Sequence, residues 1–164
     1  LGTTICNLDP AQRKTFHAEV ASTLDDDDRF LLVTDLVKPV DRLVRAYDDA
    51  EGVTARFNIN ALSVMNDELG ADFDPGSFEH RSVWNAEESR IEMHLVSLCD
   101  QRVSIPGLRD LHLEVPEGRH LRTEISTKFT SAQVEAELAA AGLAVHAAWT
   151  DRSGDFQLTL ARLA

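Results

Sequence analysis

Glu124 and Ser126 stand two residues apart in a stretch, Arg119 to Phe129, whose pattern predicts a β-strand. Alternate residues of a strand leave the same face, so this carboxylate and hydroxyl can reach one polar ligand together. An ionised carboxylate only accepts hydrogen bonds, whereas a hydroxyl both donates and accepts, and the pair therefore suits a ring or group that offers both functions. The plain alternative is a polar strand face turned to water. Asn7 carries an amide that donates and accepts, at the end of a short β-branched stretch, Leu1 to Ile5, that reads as the end of a strand. Ligands of open α/β sheets collect beyond the carboxyl ends of strands, although an asparagine in such a place also simply turns the chain. Tyr47, the only tyrosine, is a neutral phenol donor. Beside Val40, Leu43 and Val44 at helical spacing it is equally a core-edge aromatic with its hydroxyl in water.

Other chemistries find less support. The six histidines, His17, His80, His94, His112, His120 and His146, form neither HExxH nor HxH, and Cys6 and Cys99 form no CxxC, so no metal site is expected. Both cysteines read as reduced thiols. The acidic run Asp25 to Asp28 lacks the spaced oxygen ligands and the glycine of a cation loop and reads as a solvated turn. No Ser/His/Asp or Cys/His nucleophile set stands out.

Composition narrows the partners. With 16 Lys and Arg against 28 Asp and Glu, the 164 residues carry a net charge of −12, which repels a phosphate backbone and makes nucleic acid a poor partner. No apolar stretch approaches the roughly 18 residues that span a bilayer, and the first residues hold no basic-then-apolar leader, so a cytoplasmic protein without membrane contact is expected, and a monomer. The apolar share, 43%, is that of a folded globular chain rather than a disordered one.

The elements that must position these residues can be placed along the chain. Asp9-Pro10 predicts a helix cap and first turn, with Phe16, Val20 and Leu24 on one face of a helix that ends at the acidic run. Phe30-Leu31-Leu32-Val33 is a continuous apolar run that predicts a strand covered on both faces, as in a parallel sheet, and so a strand, helix, strand unit. Helical spacing follows from Pro39 to Tyr47, and again from about Thr54 to Gly70. Strands are expected at Phe78 to Trp84, Ile91 to Leu98, Arg102 to Ile105 and Leu111 to Val115, forming an antiparallel layer. Thr130-Ser131-Ala132-Gln133 is a capping-box pattern opening a helix to Gly142, and Asp151-Arg152-Ser153-Gly154 joins two final strands, Leu143 to Thr150 and Asp155 to Leu163. The reading is an α/β chain with α/β segments at 1–37 and 129–164 and an α+β insert at 38–128. An open sheet ending in an antiparallel hairpin is the plan of class I, Rossmann-like methyltransferases.

Several segments carry a closer likeness. Leu1-Gly2-Thr3-Thr4-Ile5-Cys6-Asn7, Thr34-Asp35-Leu36-Val37-Lys38, Ala46-Tyr47-Asp48-Asp49 with Gly52-Val53-Thr54, Phe57-Asn58, Arg90-Ile91-Glu92-Met93-His94-Leu95, Thr123-Glu124-Ile125-Ser126-Thr127-Lys128-Phe129, and Trp149-Thr150-Asp151 with Gly154-Asp155-Phe156 span the chain from end to end. In this order they resemble the histidine-specific methyltransferases that use S-adenosyl-L-methionine. The resemblance implies transfer of methyl groups to the α-amino group of L-histidine, giving the trimethylated betaine hercynine of ergothioneine biosynthesis. It implies that Asn7 contacts the backbone end of the substrate, that Tyr47 hydrogen-bonds its carboxylate, and that Glu124 and Ser126 serve the two imidazole nitrogens. It further implies pocket contacts for Met93 and Gly2, and contacts near the methyl donor for Thr54 and Phe57.

Two departures matter. The family's glycine-rich loop, its ribose-binding acid and its N-terminal tyrosines would precede Leu1, so the main donor-binding motif lies upstream and the isolated chain is expected to be inactive. Cys6 stands where the family usually has glycine, adding bulk beside Asn7. The rival readings are a related amino-acid N-methyltransferase with another side-chain specificity, and a non-catalytic methyltransferase-like fragment that only binds.

Overall fold

The computed structural model describes residues 2–164, which divide into two compact units. One takes in the chain up to Pro39, Asn85–Arg90 and Ile125–Ala164; the other comprises Val40–Trp84 and Ile91–Glu124.

In the first unit the chain opens with a 3-10 turn, Thr3–Asn7, in place of the expected strand; Leu1, at the start of that expectation, lies outside the described residues. The reason is local. Ile5 and Cys6 are consecutive and both are buried in one core, which a helical turn permits and a strand, sending neighbours to opposite faces, does not. The helix α1 (Pro10–Thr23) follows, capped by Asp9, whose carboxylate accepts from the Gln12 amide N–H at 2.8 Å while Gln12 accepts from the Asp9 N–H at 2.9 Å. The first strand, β1 (Phe30–Asp35), does not meet the parallel-sheet expectation: it pairs antiparallel with β8 (Phe156–Leu163), which in turn pairs antiparallel with β7 (Leu143–Thr150). Nor are both faces of β1 covered. Phe30 and Leu32 enter the core with Phe16 and Val20 of α1 and with Val134 and Leu138 of the helix α4 (Ser131–Ala140), while Leu31 is 44% exposed on the other face. The helices of this unit, α1 and α4, contribute to one core, and the strand alternates accordingly. Thr130 caps α4 by accepting from the Gln133 N–H at 3.1 Å, but the expected box is half made, because the Gln133 side chain donates instead to Glu137. The turn between β7 and β8 is held by Asp151, whose carboxylate accepts from the backbone of Ser153, Asp155 and Phe156. Those bonds, the one from Phe156 foremost, hold its pKa below the usual carboxylate range.

Two titratable side chains of α1 belong to this unit's interior. Arg13, 3% exposed, grips the Glu137 carboxylate with Nε and Nη2 at 2.9 Å each and donates from Nη1 to the Leu8 carbonyl at 2.9 Å. Its guanidinium carbon lies 5.1 Å from the centre of the Phe129 ring. His17, 2% exposed, meets the Phe16 and Phe30 rings edge-on, and neither ring nitrogen has a hydrogen-bond partner among the described residues. Burial holds its pKa below the ordinary 6.5, against a smaller upward pull from Glu137. The unfolded chain therefore takes up a proton at about 6.5 that the folded one refuses, and stability, complete above that value, falls as pH drops from there towards the lower folded value. Chemical denaturation between pH 7.5 and 5 is expected to show this loss, and His17→Leu to flatten it. An unaltered slope in the variant would count against the assignment.

The second unit begins with α2 (Val40–Tyr47) and α3 (Val53–Leu69), and α3 stops at Gly70 in the left-handed region, φ 64°. Its strands are β2 (Phe78–Asn85), β3 (Arg90–Ser97), β4 (Gln101–Ile105) and β5 (Leu111–Val115). A further strand, β6 (His120–Thr127), starts in this unit and ends in the first. The order β2-β3-β6 forms one sheet, and β4 pairs antiparallel with β5 as expected. Leu62 of α3 packs with Phe73, Phe78, Leu95, Val103, Ile105 and Val115 in a core separate from that of the first unit. Gly107, after β4, is required by contact: a Cβ there would lie 2.8 Å from the Leu69 carbonyl oxygen.

Candidate functional site

β6 delivers Glu124 and Ser126 on one face by its period of two, with Ser126 buried and Glu124 half-buried. The strand's parity continues to Lys128, two residues on, and Lys128 is wholly buried. Its ammonium donates to the Ser126 hydroxyl oxygen at 2.8 Å and to Asp35 Oδ2 at 2.8 Å. Asp35, the last residue of β1, is held from its other oxygen by Lys38 at 2.7 Å, and Lys38 lies 4.6 Å from the centre of the Phe156 ring. Backbone bonds fix the same place: the Phe129 N–H donates to the Asp35 carbonyl at 2.8 Å, and the Lys128 N–H to the Ser89 carbonyl at 2.8 Å. In the sequence Lys128 stands only within the motif of residues 123–129, with no role of its own. The strict alternation of Glu124, Ser126 and Lys128 with Ile125, Thr127 and Phe129 is the sign that would have found it.

Asn7 closes the 3-10 turn and is exposed, whereas its neighbour Cys6 is buried and bonds to the backbone of Asp35. Burial raises the Cys6 thiol pKa, with the Asp35 backbone and the Lys128 charge acting in the opposite direction. Asp35 thus links to Ser126 through Lys128 and to the residue next to Asn7 through its own backbone. Gly2 is exposed, and no protein atom lies within 4 Å of the position a Cβ would take, so packing within the described residues does not demand a glycine there.

The second unit carries the other candidates. Tyr47 is the last residue of α2 and half-buried, and its carbonyl oxygen accepts from His80 Nε2 at 2.8 Å. With Nε2 donating, His80 Nδ1 accepts from the Asn58 amide nitrogen at 2.9 Å, and the same nitrogen points to the His94 carbonyl oxygen at 3.3 Å. A reversed Asn58 amide would set oxygen against oxygen at His94, so the three contacts define one amide orientation and one His80 tautomer. This chain joins the end of α2 at Tyr47, the turn of α3 that carries Phe57, and β3 beside Met93. Sequence analysis assigned no part to Asn58 or His80; Asn58, 3% exposed inside a helix, is recognisable only by its burial. Met93 is 4% exposed, and its carbonyl accepts from the Thr123 hydroxyl at 3.1 Å. His94 Nε2 lies 3.2 Å from Glu92, and burial holds the His94 pKa down against the upward effect of that carboxylate.

Thr54 and Phe57 differ in what they offer. Thr54 stands in the first turn of α3, where Asp49 accepts from its backbone N–H at 2.8 Å, from its hydroxyl, and from the Val53 N–H at 2.9 Å, bonds that hold Asp49 far below the usual carboxylate range. Phe57, 70% exposed, presents an open aromatic face. The Thr54 hydroxyl is engaged as a cap by Asp49, so of the two it is Phe57 that offers open surface. The remaining expectations are local. Asp25 to Asp28 form a turn in which the Asp25 N–H donates to Asp28, and among the described helices none is long and apolar enough to cross a membrane.

Comparison with known proteins adds sequence kinship to this geometry. Residues 1–163 match the family described as histidine-specific methyltransferase, SAM-dependent. The chain is 53% identical over 161 residues to the histidine N-alpha-methyltransferase of Mycolicibacterium smegmatis and 51% identical over 161 residues to that of Mycobacterium tuberculosis. Each alignment covers 98% of this chain and 50% of the relative, so the chain spans about half the length of the curated relatives it matches. Among solved structures, the CcbJ methyltransferase of Streptomyces caelestis superposes with a TM-score of 0.50 at 12% identity, over 99% of this chain and 54% of that one. The likeness is one of fold: an α/β chain matching part of a methyltransferase.

Proposed function

The chain belongs to the family of histidine-specific, S-adenosylmethionine-dependent methyltransferases, and from that premise we propose that it supplies the substrate-binding half of an enzyme that methylates the α-amino nitrogen of L-histidine until the nitrogen is quaternary. The observation that carries the reading is the 53% identity, over 98% of this chain, to a histidine N-alpha-methyltransferase.

On this reading Asn7 and Tyr47 hold the amino-acid end of the substrate. The amide of Asn7 can donate to the carboxylate and accept from the amine, leaving the amine lone pair directed at its target, and the Tyr47 phenol donates to the carboxylate. His80 and Asn58 hold the end of α2, from which Tyr47 projects, in one arrangement. Glu124 accepts from the ring N–H, Ser126 serves the other ring nitrogen, Met93 and Gly2 are assigned contacts to the substrate, and Thr54 and Phe57 contacts near the methyl donor. When bound, S-adenosylmethionine supplies an electrophilic methyl group on a sulfonium centre. The protein's part is placement. Fixing an uncharged amine close to contact with that methyl replaces a bimolecular encounter by a positioned one, which for well-oriented groups is worth about 7 kcal/mol or more. As each nitrogen–carbon bond forms the methyl–sulfur bond breaks, S-adenosylhomocysteine leaves, and the ammonium so made gives its proton to water before the next transfer. The product of full turnover is the trimethylated betaine, the precursor expected for ergothioneine.

The test uses the protein in full length, with the half that the mycobacterial relatives have and this sequence does not span, alongside the 164-residue chain alone. Mass spectrometry of the products is expected to show histidine gaining three methyl groups with the full-length protein and none with the 164 residues. Transfer to tryptophan in preference to histidine, or no transfer at all by the full-length protein, would refute the proposal.

A further inference from the structure

We propose that Lys128 is a positioning residue for substrate selection: paired with Asp35, its ammonium donates to the Ser126 oxygen and thereby makes that hydroxyl a donor towards the substrate, whose ring must present a hydrogen-bond acceptor. This rests on the preceding reading, in which Ser126 meets the substrate ring. An ammonium has three donors and no acceptor, so at the 2.8 Å contact Ser126 can only accept. A hydroxyl that accepts from a cation is polarised into a stronger donor, and the effect is larger where water is excluded. Lys128 has no exposed surface and Ser126 is 4% exposed, so solvent does not compete for the contact.

The ammonium is itself fixed. Asp35 Oδ2 receives it at 2.8 Å, Lys38 holds Asp35 Oδ1 at 2.7 Å, and Lys38 also lies 3.9 Å from Asp155. Lysine carries four rotatable methylene bonds, and burial with two anchored acceptors removes that freedom. Ser126 in turn offers its proton in a set direction. The ring that suits it carries an unprotonated nitrogen on the Ser126 side and an N–H on the Glu124 side: a neutral imidazole in one tautomer. Pyrrole, which has the N–H without the second nitrogen, would leave the Ser126 proton unpaired, and an unpaired buried donor is what separates close analogues.

Two measurements test this. In the 164-residue chain, without any substrate, Ser126→Ala takes an acceptor from a buried ammonium and is expected to lower the melting temperature by about 3–8 °C; an unchanged value would show that Lys128 does not depend on Ser126 and would overturn the proposal. In the full-length protein, histidine and 3-(2-pyrrolyl)alanine compete for methylation, a ratio that does not depend on how much of a variant is folded. Lys128→Gln is expected to reduce the preference for histidine by about 30-fold, to the level of Ser126→Ala, and the double variant to go no further. Multiplying effects, or a preference untouched by Lys128→Gln, would mean that Lys128 only fills space. If the unaltered full-length protein methylates no histidine, the proposed function falls and ring selection with it, while the melting experiment still reports on the Lys128 contact.

Discussion

Replacing Glu124 and Ser126 together by alanine in the full-length protein is expected to lower kcat/KM for histidine about 10³-fold while leaving the rate on tryptophan little changed. Each side chain is assigned one hydrogen bond to the imidazole, and stripping a partner from a buried polar group costs about 1–3 kcal/mol. Two such losses near 2 kcal/mol, at 1.4 kcal/mol for each factor of ten, give the estimate. Taken as independent, the two losses divide evenly, and each single variant is expected to remove about half of the logarithmic effect, about 30-fold. Tryptophan offers no nitrogen that the Ser126 proton can use and so loses little. Competition between the two amino acids, read by mass spectrometry, measures the change. A histidine preference that survives the double replacement would remove Glu124 and Ser126 from specificity.

Arg13→Ala is expected to be the most damaging single change to the first unit, lowering the unfolding free energy by about 3–5 kcal/mol, the usual result of removing one member of a buried ion pair. The guanidinium joins α1 to α4 through Glu137, to the Leu8 carbonyl, to the Thr127 hydroxyl at 3.3 Å, and to the Phe129 ring. Alanine leaves Glu137, three-quarters buried, without its cation. Against a total stability of about 5–15 kcal/mol for a domain, the loss leaves a marginal fold. Urea titration of the 164-residue chain measures it. The paired replacement Arg13→Met with Glu137→Leu is expected to recover most of the loss, because an apolar pair of similar volume strands no charge. A drop below 1 kcal/mol in Arg13→Ala would show that the pair adds little.

How far these features were legible depends on how local their causes are. Asp9-Pro10 opening α1, Gly70 ending α3, Thr130 opening α4 and the turn at Asp151 were all readable, because caps and turns are decided by a few adjacent residues. The apolar run at Phe30 announced a strand but not its partner, since pairing with β8 joins residues more than a hundred positions apart. The burial of Arg13, His17 and Lys128 is not legible from their residue types. Each is buried by what meets it, Glu137, Phe30 and Asp35 respectively, and no window of neighbouring sequence contains those encounters. The candidate site divided in the same way. Glu124 and Ser126 were visible as a pair because one strand carries both; the cation behind Ser126 and the His80–Asn58 support of α2 became visible only in three dimensions.

That one strand carries the pair has an evolutionary consequence. Inserting or deleting a single residue within β6 ahead of position 124 would exchange both groups at once, turning Thr123 and Ile125, or their shifted neighbours, towards the ligand side, whereas a change of two residues would restore the odd-even order. If Glu124 and Ser126 recognise the substrate as proposed, point substitution retunes recognition one group at a time, an indel in this strand erases it in a single step, and lineages that keep the substrate should tolerate length variation at the loops flanking β6 and not inside it.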